Sequence, residues 1–292
     1  VSDRAPFAQA VAEAGAVPFL ALALMRGAEV EALLTETAQR LAGRTWGVGI
    51  LGFVPAELRE EQLEVVRRIK PPVALIAGGR PAQAQPLQDL GIATFLHTPS
   101  PGLLDLFLKQ GARRFVFEGM ECGGHVGPRS SLVLWEQQVA RLLAHPDPSE
   151  LEIVFAGGIH DGRSAAMVAA LAAPLVERGA AIGVLMGTAY LFTREAVAAG
   201  AIEAGFQQTA LACTETVLLE TAPGHATRCA DTDYVRAFRA ERERLQREGV
   251  PAQAMWQALE ELNLGRLRIA AKGVRRDGDA LVRADADVQR RE

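Results

Sequence analysis

Residues 115–131 read Phe-Val-Phe-Glu-Gly-Met-Glu-Cys-Gly-Gly-His-Val-Gly-Pro-Arg-Ser-Ser. A single histidine, His125, stands among Gly123, Gly124 and Gly127, directly behind the apolar run Phe115–Phe117. An imidazole titrates near neutrality, so it can take or give a proton at working pH. Glycines beside it would let a flat molecule approach the backbone. A tight turn that happens to hold a polar residue accounts for the same letters, so the rest of the chain must decide. A glycine pair, Gly157-Gly158, follows the apolar run 151–156, and Gly187-Thr188 follows the run 181–186. Free N–H groups at such turns suit phosphate oxygens, the Thr188 hydroxyl adds a donor, and a helix opening near Asp161 turns its N-terminus toward the same place. A phosphate-anchored planar molecule with a histidine over it suggests a flavin.

Other residues carry weaker signals. His97-Thr98 and Gly78-Gly79 also close apolar runs, and Glu121 lies on the histidine loop. His97, Gly78 and Glu121 are therefore candidates for contact with a cofactor or substrate. Cys122 could be a nucleophile, but a small residue is expected there in any case. His145, His160 and His225 read as structural or exposed. No His/Asp/Glu spacing suggests a metal, and no Ser–His–Asp order stands out.

Elements must bring these loops to one place. Apolar runs at 17–24, 46–51, 73–78, 93–98, 114–119, 151–158 and 181–188 alternate with helical patterns at 7–15, 28–41, 56–69, 82–90, 101–110, 132–144 and 162–172. The runs are continuously apolar rather than alternating, as in parallel strands covered on both faces. The rhythm predicts an α/β fold, a (β/α)8 TIM barrel whose first strand lies upstream of residue 1. In a barrel the site lies at the C-terminal ends of the strands, and the loops after strands seven and eight are a frequent phosphate place. The expected organisation is a barrel over residues 1–220 and a helical extension with a charged tail over 221–292. Residues 195–265 are mostly helical patterns with loops, and the charge alternation at 234–249 reads as a solvated helix face.

The chain has 292 residues, 49% hydrophobic and 23% charged, with a net charge of −4. That is the balance of a globular protein with a full core and no basic field for nucleic acid. Three cysteines without C-x-x-C spacing argue against a disulfide framework or zinc site and for a reducing, cytoplasmic compartment. No apolar run is long enough to span a bilayer and no signal peptide is visible. The start at Val1 suggests a piece of a longer multidomain chain.

The stretch Phe-Glu-Gly-Met-Glu-Cys-Gly-Gly-His-Val-Gly, then Ala-Gly-Gly-Ile-His-Asp-Gly-Arg and then Met-Gly-Thr, resembles the nitronate monooxygenase (2-nitropropane dioxygenase-like) family of FMN-dependent barrels, which includes flavin-type enoyl-ACP reductases. The resemblance covers roughly residues 1–220. It implies FMN as cofactor, with its phosphate held by Gly157, Gly158, Gly187 and Thr188, Gly123 and Gly124 lining the flavin pocket, and His125 as the active-site base or proton donor. Gly-Pro-Arg-Ser-Ser with Trp135-Glu136 resembles the version fused to polyketide or fatty-acid synthase-like proteins. The chain departs from the family in lacking a Gly-Pro-Met first strand, in Gly49 where Asn is common, in Cys122 for a small Ala, and in lacking a final Ala-Gly-Gln segment. The resemblance implies two reactions: oxidation of an alkyl nitronate by flavin and O2, or reduction of a carrier-protein-bound enoyl thioester with NAD(P)H through FMN. A flavin-free docking or scaffold domain is the reading from outside enzymology.

Overall fold

The computed structural model describes residues 3–263, 265–277 and 280–285. In chain order it builds α1 (Ala5–Glu13), β1 (Phe19–Ala21), α2 (Gly27–Arg40), β2 (Gly47–Leu51), α3 (Ala56–Ile69), β3 (Val73–Ala77), α4 (Pro81–Gln88), β4 (Ala93–His97), α5 (Pro101–Lys109) and β5 (Arg114–Glu118). A short β6 (Gly124–Val126) precedes α6 (Ser131–Leu143), β7 (Glu152–Ala156), α7 (Gly162–Val176) and β8 (Ala181–Leu185). Then come α8 (Arg194–Ala198), α9 (Ala204–Ala212), β9 (Thr216–Ala222), β10 (His225–Ala230), α10 (Asp233–Arg247), α11 (Ala252–Asn263), α12 (Arg266–Lys272), β11 (Val274–Asp277) and β12 (Ala280–Arg283). The described residues fall into two compact units, one within residues 1–119 and 129–187, the other within residues 120–128 and 188–292.

The first unit is α/β, a parallel sheet of TIM-barrel type in the order β1-β2-β3-β4-β5-β7-β8. Among the described residues β1 and β8 are its two edges and do not pair. Strand parity explains the unbroken apolar runs. Ile76, Leu96, Phe115, Phe117, Ile153 and Phe155 join the cluster packed under the helices. The residues between them, Leu75, Phe95, Val116, Val154 and Leu185, cluster on the opposite, inner face. Each strand must be apolar on both sides, so no alternation survives. Trp135 of α6 locks this arrangement: its indole N–H donates to Phe117 O at 3.0 Å, and its ring meets Phe155 edge-on at 5.8 Å.

The run at 17–24 yields a strand of only three residues. Ala23 takes a left-handed conformation, φ 45°, which ends the extended stretch. The buried Gln62 amide holds that turn, donating to Ala23 O at 3.1 Å and Met25 O at 2.9 Å.

In the second unit β6, β10 and β9 form an antiparallel sheet with β10 in the centre. The expectation of mostly helical patterns with loops over 195–265 is corrected at one place, since residues 216–222 and 225–230 are strands. Leu219 of β9 packs with Tyr234, Val235 and Phe238 of α10 and with Leu259 of α11. Tyr234 donates its hydroxyl to Asn263 Oδ1 at 2.8 Å and carries the Arg266 guanidinium on its ring, 3.1 Å from the centroid. No helix among the described residues is long and apolar enough to cross a membrane.

Candidate active site

In the first unit the C-terminal ends of β7 and β8 lie side by side, with Ala156 opposite Leu185. Gly157 and Gly158 follow β7 with φ of 103° and 77°, a region that L side chains rarely adopt. Among the described residues, the N–H groups of Gly157, Gly158 and Gly187 donate to no protein acceptor. An added Cβ at Gly187 would meet nothing within 4 Å. Unpaired N–H groups at two neighbouring strand ends fit an anionic phosphate. The first turn of α7 contributes less than the sequence suggested. Asp161 accepts from Ser164 N and Ser164 Oγ, each at 2.7 Å, so the helix already carries its own carboxylate there. The Ser164 backbone N–H, then its hydroxyl, holds the Asp161 carboxyl below the ordinary range. His160 is exposed and turns back, its Nδ1 2.9 Å from Gly158 O. A carbonyl only accepts, so that nitrogen carries the proton.

Close packing fixes the position of Gly157. A Cβ on it would stand 2.5 Å from Ser131 Oγ and 3.0 Å from both the N and O of Gly119. One on Gly119 would come within 2.2 Å of Ser131 Cα. The ends of β5 and β7 and the start of α6 thus touch backbone to backbone. Gly119 N–H donates to Ala156 O at 3.1 Å. Gly119 and Ser131 escaped the sequence reading, because their role depends on which strands are neighbours.

His97 and Glu118 end β4 and β5. Parity places both on the inner face, with Phe95 and Val116 beneath them. His97 Nδ1 lies 3.3 Å from Glu118 Oε2, the side chains 21% and 28% exposed. Burial lowers the imidazole pKa from its usual 6.5, and the Glu118 carboxylate opposes that shift. The next residue is anchored twice: Thr98 N–H donates to Val116 O at 3.0 Å, and buried Gln138 donates to Thr98 O at 2.9 Å.

Gly78 has φ 65°. A Cβ on Gly52 would stand 2.6 Å from Gly79 Cα, so the turns after β2 and β3 require glycine for their own packing. Gln83 ties them, donating to Gly52 O at 2.9 Å.

In the second unit the histidine loop is a strand. His125 is the exposed middle residue of β6, and its partner in β10 is Thr227. Its carbonyl accepts from the buried Cys122 thiol at 3.4 Å. That gives Cys122 a packing role. Gly124 has φ 88°. A Cβ on Gly123 would lie 2.9 Å from Thr188 Oγ1, so these two predicted cofactor residues are neighbours. Arg228 ties down the start of the loop, donating to Met120 O at 2.8 Å and to Thr216 Oγ1 at 2.8 Å. Glu121 is exposed. Among the described residues no group of three His, Cys, Asp or Glu could hold a metal.

The family model for nitronate monooxygenase matches residues 38–280. The chain belongs to the nitronate monooxygenase family. A curated relative from Rhodococcus jostii (strain RHA1), (3aS,4S,5R,7aS)-5-hydroxy-7a-methyl-1-oxo-octahydro-1H-indene-4-carboxyl-CoA dehydrogenase, is 28% identical over 230 residues. That match covers 78% of this chain and 59% of the relative, so the chain spans somewhat over half of that protein's length. Two solved structures share the fold. FabK from Thermotoga maritima has a TM-score of 0.73 at 23% identity, over 99% of this chain and 80% of that one. A nitroalkane oxidase from Streptomyces ansochromogenes has a TM-score of 0.66 at 21% identity, over 80% and 75%.

Proposed function

We propose that this nitronate monooxygenase-family chain binds FMN and oxidises alkyl nitronates with O2. The observation that carries the reading is the set of unpaired N–H groups of Gly157, Gly158 and Gly187 at the adjoining ends of β7 and β8. These residues would hold the FMN phosphate, with Thr188 adding its hydroxyl. Once bound, FMN supplies a two-electron acceptor that can pass electrons on to O2. The chain's own part is binding and proton handling. Gly123 and Gly124 leave their backbone uncovered for a flat ring, and a Cβ on Gly123 would crowd Thr188 Oγ1. His125, exposed on β6, takes the proton from the carbon bearing the nitro group and so maintains the nitronate.

A second reading is favoured by the relative from Rhodococcus jostii, whose name describes a carboxyl-CoA thioester. On that reading the substrate is an enoyl thioester on CoA or a carrier protein within a longer synthase-like chain. NAD(P)H is then the electron donor and His125 protonates the product.

The test is flavin absorbance of the purified full-length protein, followed by anaerobic additions. Flavin colour bleached by a nitronate alone supports the monooxygenase. Bleaching by NADPH, with turnover of an enoyl thioester and none of a nitronate, overturns it for the reductase. A colourless protein that takes up no FMN overturns both and leaves a docking or scaffold domain.

A further inference from the structure

Parity makes the inner face of the first unit almost wholly apolar or bare. Its upper strand positions hold Ala21, Leu51, Ala77, Ala156 and Leu185 alongside His97 and Glu118. The other charged couple on this parity, Arg114 with Glu152 at 2.6 Å, stands at the opposite, N-terminal ends of β5 and β7. At the rim where the glycine N–H groups emerge, the His97–Glu118 couple is therefore the polar element of an otherwise apolar floor.

Its chemistry follows from its neighbours. A carboxylate 3.3 Å from Nδ1 favours the tautomer with the proton on that nitrogen, which leaves Nε2 as an acceptor. Among the described residues nothing protein-borne bonds to Nε2. The backbone beneath cannot shift readily, because Val116 O and Gln138 grip Thr98. In strand order β4 lies two places from β7, a span of about 10 Å at the usual strand spacing. A molecule with its phosphate on Gly157 and Gly158 needs about that length to reach His97.

We propose that His97, oriented by Glu118, is a ligand-binding residue of this rim, accepting at Nε2 a hydrogen bond from an N–H donor of the bound molecule. The inference rests on the phosphate-site reading above. Two sources carry such a donor: the imide of the flavin ring, or an amide of a pantetheine thioester.

The experiment follows the His97 ring by nitrogen NMR in 15N-histidine-labelled full-length protein, assigned with H97Q. FMN is added first and crotonyl-CoA second, with flavin absorbance read in parallel. The expected free state is the Nδ1–H tautomer, and E118Q should turn it into a mixture while G187A leaves it unchanged. A shift of the Nε2 signal on adding FMN assigns the donor to the flavin, and a shift only with crotonyl-CoA assigns it to the thioester. H97A should then weaken the ligand that shifts the signal by about tenfold, the loss of one hydrogen bond. A His97 signal unmoved by both additions, with flavin absorbance showing FMN bound, overturns the proposal. If FMN does not bind, the phosphate-site reading fails by itself. The crotonyl-CoA response then decides alone, and its absence overturns the proposal as well.

Discussion

His125 and Thr227 are register partners across the antiparallel β6–β10 ladder. The histidine singled out by its glycine surroundings is thus held by strand pairing and not by a free loop. Arg228, the next residue of β10, fastens the start of the loop through Met120 O.

Arg228→Met should therefore loosen the histidine loop while sparing the parallel sheet. Losing both hydrogen bonds of this guanidinium should cost about 2 kcal/mol. Limited proteolysis should become faster within residues 120–128, and kcat should fall more than KM rises. Unchanged cleavage of that segment would show that β6 holds without the arginine.

The glycines at the ends of β7 and β8 should separate stability from binding. Gly157→Ala places a Cβ against Ser131 Oγ and the Gly119 backbone at positive φ, and should cost about 2–4 kcal/mol. Gly187→Ala has open space and no positive φ. It should leave the melting temperature unchanged while weakening FMN binding. Thermal unfolding and flavin titration of the two variants check both halves.

Burial depresses the His97 pKa below 6.5 more than Glu118 raises it. The unfolded chain then binds a proton that the folded chain resists, so stability is full above the unfolded pKa. It declines as pH falls from there through the folded value. Urea midpoints compared at about pH 7.5 and about pH 5.5 should fall more steeply for the wild type than for H97Q. Parallel slopes would remove His97 as the source.

Trp135→Phe should destabilise by about 2–3 kcal/mol, since it removes the indole hydrogen bond to Phe117 O and leaves a gap beside Phe155. Denaturant unfolding reads this directly. A loss below about 0.5 kcal/mol would mean that the site repacks.

The parallel sheet was legible in the sequence because each strand and each helix carries its own local signal. The helix at 56–69 coincides with its predicted bounds, and six of the seven strands lie within a few residues of theirs. Where conformation depends on distant partners, the signal was missing. β6 is three residues long, Gly-His-Val, and becomes a strand only because β10 lies beside it. The β9–β10 hairpin did leave a mark, Pro223-Gly224 between two Thr-containing runs, a turn signal overlooked among neighbouring helical patterns. The glycine pairs and His125 could be picked out by type and spacing. Glu118 beside His97, and Ser131 beneath Gly157, could not, because continuously apolar strands hide which face each residue takes.

The ladder between His125 and Thr227 also sets a time order. Its two strands lie about a hundred residues apart in the chain, and such contacts form late because a long loop must first close. During synthesis all seven strands of the parallel sheet emerge before Thr227 does. A nascent chain halted near residue 200 would carry the glycine turns of β7 and β8 but not the strand that seats the histidine. The residue proposed to handle protons would thus be the last to be seated, and a partly made chain would carry it unpaired.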